Sequence, residues 1–217
     1  GVCVDEPAPR HERCGATVNG EIETIRLPGL TSYADAYSVM ADRRAAVEAG
    51  HAANALLLLE HPPVITLGRS AHPSNLLATE EELVERGVEL HKADRGGDVT
   101  YHGPGQLVVY PVLNLNAWGL SIRGYLRTLE EVVIRLLAGY GLAGERVDGL
   151  TGVWVNGAKI AAIGVGVHHG ITYHGAALNV APDLDHFRLI VPCGIADKPV
   201  TSLAQRMSRP PSLDDVA

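Results

Sequence analysis

The chain has 217 residues, of which 46% are hydrophobic and 20% charged, and its formal net charge is −7. This composition is typical of a globular domain with a substantial core. An acidic chain without a Lys/Arg-rich block disfavours nucleic acid as the main partner. No apolar run approaches the roughly 20 residues of a membrane span, and the N-terminus lacks a secretory signal pattern, so we expect a cytoplasmic protein.

The three cysteines of the chain are Cys3, Cys14 and Cys193. Three are too few for a disulfide framework, and without a secretory signal we expect reduced thiols. Because the sequence contains no Cys-x-x-Cys pair, we predict no structural zinc and no other metal.

The two ends of the chain differ from its centre. Residues 1–20 contain two prolines and no periodic pattern, which predicts a poorly ordered leader. Residues 21–217 then form one domain. Near the end, Ser212 and two aspartates have the pattern of a helix start with no helix after it. We therefore expect the natural protein to continue beyond Ala217.

The first predicted elements are a strand at Glu21–Leu27 and a helix capped by Ser32. This helix runs to about Ala49, where Gly50 ends it. Its predicted apolar face consists of Ala36, Val39, Met40 and Val47.

Two further strands lie on either side of a proline pair. Ala55–Leu59 is a continuous apolar run, typical of a strand that is covered on both faces. Pro62 and Pro63 end it, and Val64–Gly68 forms the next strand. Thr79, followed by three glutamates, predicts a helix start, because the helix dipole favours negative charge in the first turn.

The clearest helix pattern runs from Ser121 to about Ala138, after a strand predicted at Leu107–Leu115. Apolar residues recur there at helical spacing and predict one buried face. That face consists of Ile122, Tyr125, Leu126, Leu129, Val132, Val133, Leu136 and Leu137.

The last third of the chain predicts further strands. They lie at Val153–Val155, Lys159–Val167, Ile171–Val180 and, ending in a turn at Cys193, Ile190–Val191. A hairpin turn at His168-His169-Gly170 joins the second and third of these. Because strands and helices are intermixed without strict βαβ alternation, the sequence predicts an α+β fold with a mixed β-sheet and flanking helices.

Cys193 lies in the sequence Val-Pro-Cys-Gly-Ile. Pro192 fixes the backbone before the thiol, and Gly194 leaves room for an electrophile above the sulfur. Amide N–H groups after a nucleophile are suited to hold a developing oxyanion. A lone free cysteine is more often a buried structural residue, so the neighbouring residues alone do not assign a catalytic role.

A nucleophilic cysteine needs a nearby cation or base that lowers the pKa of its thiol below ~8.5. Lys159 lies in an apolar strand whose surroundings would desolvate it and make it a usable base. Lysine stems also commonly cover apolar surface while the ammonium reaches water. Lys198 is nearer in sequence to Cys193, and the pattern does not decide between the two lysines. The histidine alternatives are His102, His168, His169, His174 and His186.

The stretch Arg95–Gln106, RGGDVTYHGPGQ, contains four glycines and embeds Tyr101 and His102. Such a stretch allows close approach of a ligand to backbone N–H groups. It matches neither the Walker nor the dinucleotide-binding pattern. A β-turn with a bulge, and a structural role for His102, explain it equally well.

Small residues line two strands that are predicted to pair. Ala161, Ala162 and Gly164 lie on one, and Gly175, Ala176 and Ala177 lie on the other. Together they leave space that a linear apolar ligand would fill, although close backbone packing in the core explains them as well.

These segments together closely resemble the lipoyl(octanoyl) transferase family, which has five such blocks in the same order. The resemblance extends over roughly residues 21–207. The blocks are LEHPPVITLGR (Leu59–Arg69), RGGDVTYHGPGQ (Arg95–Gln106), GAKIAAIG (Gly157–Gly164), HGAALN (His174–Asn179) and VPCGI (Val191–Ile195).

The resemblance implies the fold of the catalytic domain of biotin and lipoate protein ligases. It implies that Cys193 carries the acyl group as a thioester and that Lys159 lowers the pKa of that thiol. The implied acyl and pantetheine site consists of Arg95, Gly96, Gly97, Asp98, Val99, Thr100, Tyr101, His102, Ala162, Ile163, Gly164, Gly175, Ala176 and Ala177.

The resemblance also implies the partners. Octanoyl comes from acyl carrier protein and goes to a lysine of lipoyl domains in 2-oxoacid dehydrogenases and the glycine cleavage H protein, without a cofactor. Such partners are usually acidic, so an acidic enzyme needs a local basic patch. Arg69, Arg95 and Arg123 are the candidates for it.

Two rival functions are considered. An ATP-dependent lipoate or biotin ligase has the same fold but activates a carboxylate as an adenylate and needs no cysteine, so Pro192-Cys193-Gly194 argues against it. A non-catalytic acyl-binding module would bind octanoyl without turnover or a covalent adduct.

Overall fold

The computed structural model describes residues 21–194 and 199–217, apart from the Cys193 side chain. The predicted leader lies outside these residues. The strands are β1 (Ile22–Leu30), β2 (Asn54–Glu60), β3 (Val64–Leu67), β4 (Glu89–Lys92), β5 (Val99–His102), β6 (Gln106–Val112), β7 (Val153–Val155), β8 (Ala158–His168) and β9 (Ile171–Asn179). The α-helices are α1 (Tyr33–Glu48), α2 (Glu80–Glu85), α3 (Leu115–Trp118), α4 (Ile122–Gly139), α5 (Leu203–Arg206) and α6 (Leu213–Val216). Short 3₁₀ turns lie at Pro73–Asn75, Leu184–Leu189 and Pro192–Gly194.

The larger sheet has six strands in the order β1-β2-β6-β9-β8-β7. β1 and β2 are parallel, whereas the other neighbouring strands are antiparallel. The sheet is therefore mixed, which confirms the predicted α+β class. The β8–β9 hairpin turns at His169 and Gly170, whose φ angles are 50° and 85°, as a two-residue turn between twisted strands requires.

A second sheet has three strands in the order β4-β3-β5. The proline pair therefore separates strands of two different sheets. β5 lies inside the glycine-rich stretch, where the sequence analysis placed no strand, and it pairs with β3. All four of its residues, Val99 to His102, are buried. Val99, Thr100 and Tyr101 are residue types that favour strands, and the surrounding glycines hid that signal.

The two long helices cover opposite faces of the six-stranded sheet. α1 packs on the face that carries Leu57, and α4 packs on the face that carries Leu58. Consecutive strand residues point to opposite faces, so β2 is covered on both, as its continuous apolar run predicted. The N-caps at Ser32, Thr79 and Ser121 are confirmed.

The predicted buried face of α1 is correct at Ala36, Met40 and Val47, but Val39 is 37% exposed. Tyr33 takes its place, because positions 33, 36, 40 and 47 lie on one side of the helix.

The predicted face of α4 is too wide. Tyr125, Val133 and Leu137 are buried, whereas Ile122 and Val132 are exposed. The buried stripe includes Glu130, which an apolar pattern does not predict. An amphipathic helix buries a narrower stripe than its full set of apolar residues.

Two smaller expectations concern the C-terminal third. No strand forms at Ile190–Val191, where the described residues show a single bridge between Ile190 and Leu76. A helix does follow Ser212, because α6 forms there with a complete capping box to Asp215.

Among the described residues, no helix is long and apolar enough to span a membrane.

Candidate active site

A cavity of about 210 Å³ lies over β8 and β9. Eleven of the predicted substrate-binding residues line it: Arg95, Gly97, Asp98, Thr100, His102, Ala162, Ile163, Gly164, Gly175, Ala176 and Ala177. Gly96, Val99 and Tyr101 do not. Val99 and Tyr101 pack in the core of the second sheet, and the Gly96 N–H donates to the Val165 carbonyl at 2.8 Å.

The small residues of β8 and β9 form the cavity as cross-strand pairs. Ala162 pairs with Ala177, and Gly164 pairs with Gly175. Directly opposed residues share a face of the sheet, so this face carries only methyl groups and hydrogens at four adjacent positions. The two alanines leave open space on this face, whereas Gly175 packs closely, because a Cβ atom there would lie 2.2 Å from the Val109 carbonyl oxygen.

Arg95 is held above Gly164. A Cβ atom on Gly164 would lie 3.1 Å from Arg95 Cδ and 3.0 Å from the Gly96 carbonyl oxygen. The Arg95 guanidinium donates to both the carbonyl and the hydroxyl of Thr66, each at 2.8 Å. Arg95 is 7% exposed, so its selection as part of a docking patch is wrong.

Of the other two proposed docking arginines, Arg69 is exposed and donates to the Tyr173 hydroxyl at 3.0 Å. Arg123 is exposed near the start of α4.

Lys159 lies at the other side of the cavity and is 6% exposed. Its Nζ atom lies 5.1 Å from the centre of the Trp154 ring, within the range of a cation–π contact. Its backbone N–H donates to the Pro199 carbonyl at 2.8 Å, and its carbonyl accepts the Thr201 N–H at 2.9 Å, so residues 199–201 pair along one side of it. The rival Lys198 lies outside the described residues, and the third lysine of the chain, Lys92, is exposed on β4.

The Pro192–Gly194 turn is brought to the same place. Pro192 and Lys159 line one small cavity beside the larger one. A Cβ atom on Gly194 would lie 2.9 Å from a carboxylate oxygen of Asp98 and 3.3 Å from the Asn75 amide. The turn, the glycine-rich stretch and β8 therefore meet at one corner. The side-chain position of Cys193 itself is not described.

Asn75 is a site residue that sequence reasoning missed. Its side-chain amide donates to Asp98, and its carbonyl accepts the Val191 N–H at 2.8 Å. It therefore fixes the turn against the glycine-rich stretch. An isolated asparagine in a Pro-Ser-Asn turn gives no sequence signal of this role.

Aromatic residues and histidines form the cavity wall on the side of β6. Tyr33, His102, Tyr110 and His174 line it, and all four are buried. The Tyr110 hydroxyl lies 2.9 Å from Nε2 of His61. The Nδ1 atoms of His61 and His102 face oxygen acceptors, the Thr31 carbonyl at 2.8 Å and the Gln106 amide at 2.7 Å. Each ring is therefore assigned a proton on Nδ1.

Burial is the main reason why these histidines are neutral. Desolvation lowers the pKa of His61 and His174 and places the pKa of His102 well below 6.5. The Asp94 carboxylate, 2.8 Å from Nε2 of His174, opposes this effect at His174 but does not overcome it. The same hydrogen bond holds the pKa of Asp94 at about 2.

His174 also has an unusual backbone. Its φ angle is 55°, which is uncommon for a residue other than glycine. Strained conformations of this kind cluster at functional sites. In the sequence, His174 is one alternative base and the first residue of the HGAALN block, and neither its backbone strain nor its bond to Asp94 is visible there.

One group among the described residues has the spacing of metal ligands, formed by Glu48, His168 and His169. All three are exposed, and none lines the cavity. The prediction that the protein uses no metal stays a prediction.

The buried neutral histidines predict a pH dependence of stability. Below about pH 6.5 they bind protons in the unfolded chain but not in the folded one, so the free energy of unfolding falls as the pH decreases from 7 to 5. His61→Gln should flatten this slope, as measured by urea denaturation followed by tryptophan fluorescence. His51→Gln, at an exposed histidine, should leave the slope unchanged. An equal slope in wild type and His61→Gln would contradict the assignment.

Comparison with known proteins agrees with this architecture. Residues 32–217 match the family described as the lipoyl protein ligase A/B catalytic domain. An octanoyltransferase of Chloroflexus aurantiacus is 54% identical over 197 residues, covering 89% of this chain and 88% of the relative. An octanoyltransferase of Solibacter usitatus is 50% identical over 192 residues, covering 88% and 86% of the two chains.

Solved structures show the same fold at lower identity. A lipoate-protein ligase A bound with ATP has a TM-score of 0.65 at 19% identity, covering 89% of this chain and 81% of that one. A chain of the Thermoplasma acidophilum lipoylation system, a bipartite lipoate protein ligase and its E2 lipoyl domain, has a TM-score of 0.62 at 19% identity, covering 91% and 79%. The sequence relatives, together with the small-residue cavity and the lysine beside it, place this chain in the lipoyl(octanoyl) transferase family.

Proposed function

We propose that this chain transfers an octanoyl group from acyl carrier protein to a lysine of lipoyl domains, with Cys193 carrying the group as a thioester. Relatives that are 50–58% identical and named octanoyltransferase support the acyl chemistry. The structural observation that carries the proposal is the position of Lys159. It lines both the small-residue cavity and the smaller cavity that Pro192, the neighbour of Cys193, also lines.

In the first half-reaction, the amine of Lys159 takes the proton of the Cys193 thiol. The thiolate attacks the carbonyl carbon of the incoming thioester, and the bond from that carbon to the pantetheine sulfur breaks. The ammonium of Lys159 returns its proton to the departing sulfur. One lysine therefore acts as base and then as acid, as general acid–base catalysis requires.

In the second half-reaction, the neutral amine of the target lysine attacks the thioester on Cys193. The attacking nitrogen loses a proton to Lys159, the carbon–sulfur bond breaks, and Cys193 leaves as a thiolate. The products are the amide on the partner and a thiolate beside a lysine ammonium. The same pair is then ready for the next acyl group.

A donor for the developing oxyanion is expected in the glycine-rich stretch. The sequence analysis also considered the N–H groups near Gly194, but the Gly194 N–H donates to the Val191 carbonyl at 3.0 Å. Gly97 lies in the glycine-rich stretch and lines the cavity, so it is the better candidate. Such donors stabilise charge only where they point at the reacting oxygen.

The cavity supports selection of a medium-length acyl chain. Burying each methylene contributes about 0.8 kcal/mol, so an octanoyl tail gains roughly 5 kcal/mol over acetyl. Discrimination between neighbouring lengths is weaker, about 1–3 kcal/mol per methylene. We therefore expect a preference for eight carbons with some transfer of adjacent lengths.

The rival ligase activity shares this fold and is distinguished by its chemistry. A ligase would transfer free octanoate in the presence of ATP and would not need Cys193. The sequence relatives named octanoyltransferase favour the transferase, whereas the ligase structures are 19% identical and show the fold alone. Transfer of free octanoate with ATP would decide for the ligase, and binding without turnover would decide for an acyl-binding module.

The thioester step predicts a covalent adduct. Incubation with octanoyl-acyl carrier protein should add one octanoyl mass to the wild-type chain, as measured by intact-protein mass spectrometry. Cys193→Ser should show no hydroxylamine-labile adduct, whereas Cys3→Ser and Cys14→Ser, at the other two cysteines, should label like the wild type. An unchanged adduct in Cys193→Ser would refute the assignment.

The role of Lys159 predicts a change in thiol reactivity. Lys159→Ala removes the base beside the turn, so alkylation of Cys193 by iodoacetamide should require a higher pH than in wild type. The rate is followed by mass spectrometry of the peptide that contains Cys193. Lys92→Ala, at an exposed lysine on β4, serves as the control. An unshifted profile in Lys159→Ala would point to Lys198 or to a histidine.

The cavity walls predict chain-length selection. Ala177→Val adds two methyl groups at a 3%-exposed position that lines the cavity. Octanoyl adduct formation should fall by about tenfold or more, because overpacking of a filled site costs about 1–3 kcal/mol. Butyryl transfer should fall less. Ala204→Val, the same change at an exposed position, is the control. An equal loss of octanoyl and butyryl transfer in Ala177→Val would argue against acyl binding in this cavity.

A further inference from the structure

The loop between α4 and β7 spans residues 140–152 and is closed by a bridge between Glu145 and Trp154 of β7. The N–H of Glu145 donates to the Trp154 carbonyl at 2.8 Å, and the N–H of Trp154 donates back at 2.9 Å. Three consecutive residues of this loop, Gly149 to Thr151, line the cavity. The loop is therefore a wall of the site, although it belongs to none of the motifs that identified the family.

Glu130 attaches this loop to α4. Its side chain is 2% exposed. One carboxylate oxygen accepts from Arg127 at 2.8 Å and from Arg146 at 3.0 Å, and the other accepts from the Gly152 N–H at 3.4 Å. A buried carboxylate is stable only where such partners compensate for its lost hydration. Arg146 lies in the loop itself, so Glu130 holds the loop at two points.

Gly152 lies directly against the side chain of Lys159. A Cβ atom on Gly152 would be 2.7 Å from both Lys159 Cε and the Ala161 carbonyl oxygen and 3.3 Å from the Trp154 ring, and the φ angle of Gly152 is 137°. Lys159 Nζ in turn lies 5.1 Å from the centre of the Trp154 ring. The lysine stem therefore packs against Gly152, with the Trp154 ring beside both.

We propose that Glu130 is a positioning residue that acts through Gly152 to hold Lys159 in its buried conformation. Glu130 fixes the Gly152 backbone, and Gly152 limits where the Lys159 stem can lie. A side chain with four rotatable bonds has many competing rotamers, so a site that needs one of them must restrict the others. The geometric claim concerns the lysine alone, and its consequence for thiol reactivity rests on the proposed function.

The test uses two variants with matched controls. Glu130→Gln keeps the shape of the side chain but weakens its hold on Arg146 and the loop. Glu131→Gln is its control, because Glu131 also accepts from Arg146, at 2.8 Å, but is partly exposed. Gly152→Ala places a methyl group against Lys159 and against the Ala161 carbonyl oxygen of β8, so Glu130→Gln, which leaves β8 untouched, is the more specific of the two variants. Its control is Gly157→Ala, where φ is also positive at 76° but a Cβ atom would meet nothing within 4 Å.

The first readout does not depend on Cys193. Amine labelling with an N-hydroxysuccinimide acetate, followed by peptide mapping, reports the accessibility of Lys159 relative to Lys92. Local opening makes a buried group reactive, so labelling of Lys159 should rise about tenfold in Glu130→Gln and in Gly152→Ala and stay unchanged in both controls. Labelling at the wild-type rate in both test variants, with folding verified by circular dichroism, would overturn the proposal.

The second readout is the pH profile of Cys193 alkylation. In Glu130→Gln and Gly152→Ala it should shift in the same direction as in Lys159→Ala. If Lys159→Ala shifts the profile and the two test variants do not, the positioning role is wrong and the proposed chemistry stands. If Lys159→Ala leaves the profile unchanged while labelling of Lys159 still rises in the test variants, the positioning stands and the proposed role of Lys159 is wrong.

Discussion

The close approach of Arg95 to Gly164 is the contact on which the cavity depends. It holds the glycine-rich stretch of the second sheet over the hairpin of the first. A methyl group at Gly164 would lie 3.1 Å from Arg95 Cδ and 3.0 Å from the Gly96 carbonyl oxygen, so the glycine-rich stretch would have to shift. Because the Thr66 carbonyl and hydroxyl both accept from the guanidinium, the Arg95 side chain is fixed in place between the two sheets. The cavity exists beneath it because the paired positions on β8 and β9 carry only small side chains.

The electrostatics of the site separate into two regions. On the β6 side, desolvation keeps the histidines neutral, and their ring protons face fixed oxygen acceptors. That wall is polar but uncharged, apart from the Asp94 carboxylate behind His174. On the other side, Lys159 lies against an indole ring and beside the turn that contains Cys193. This division is consistent with the proposed acyl transfer, in which an uncharged chain occupies the cavity and Lys159 acts as the base.

The elements of the fold were predictable wherever local signals agreed. Ser32, Thr79 and Ser121 are N-caps in the structure because a side-chain oxygen before a helix satisfies orphan N–H groups in any tertiary context. Predictions failed where tertiary packing decides which side chains of a helix are buried. Val39 and Val132 are exposed because a helix buries a stripe whose centre is set by its neighbours. Glu130 is buried because two arginines and a loop N–H compensate its charge, and no periodic pattern of apolar residues indicates such a position.

The sequence by itself determined the chemical groups: a cysteine between proline and glycine, a lysine in an apolar strand, a glycine-rich stretch, and two strands of small residues. Their order along the chain also indicated the family, because the five sequence blocks occur in the same order in the lipoyl(octanoyl) transferases. Only the tertiary structure decided which groups meet. It buried Arg95 against Gly164, brought Asn75 and Gly194 together at Asp98, and placed Gly152 against Lys159. These contacts join residues far apart in sequence, and their geometry depends on sheet register and loop closure, which local residue patterns do not encode.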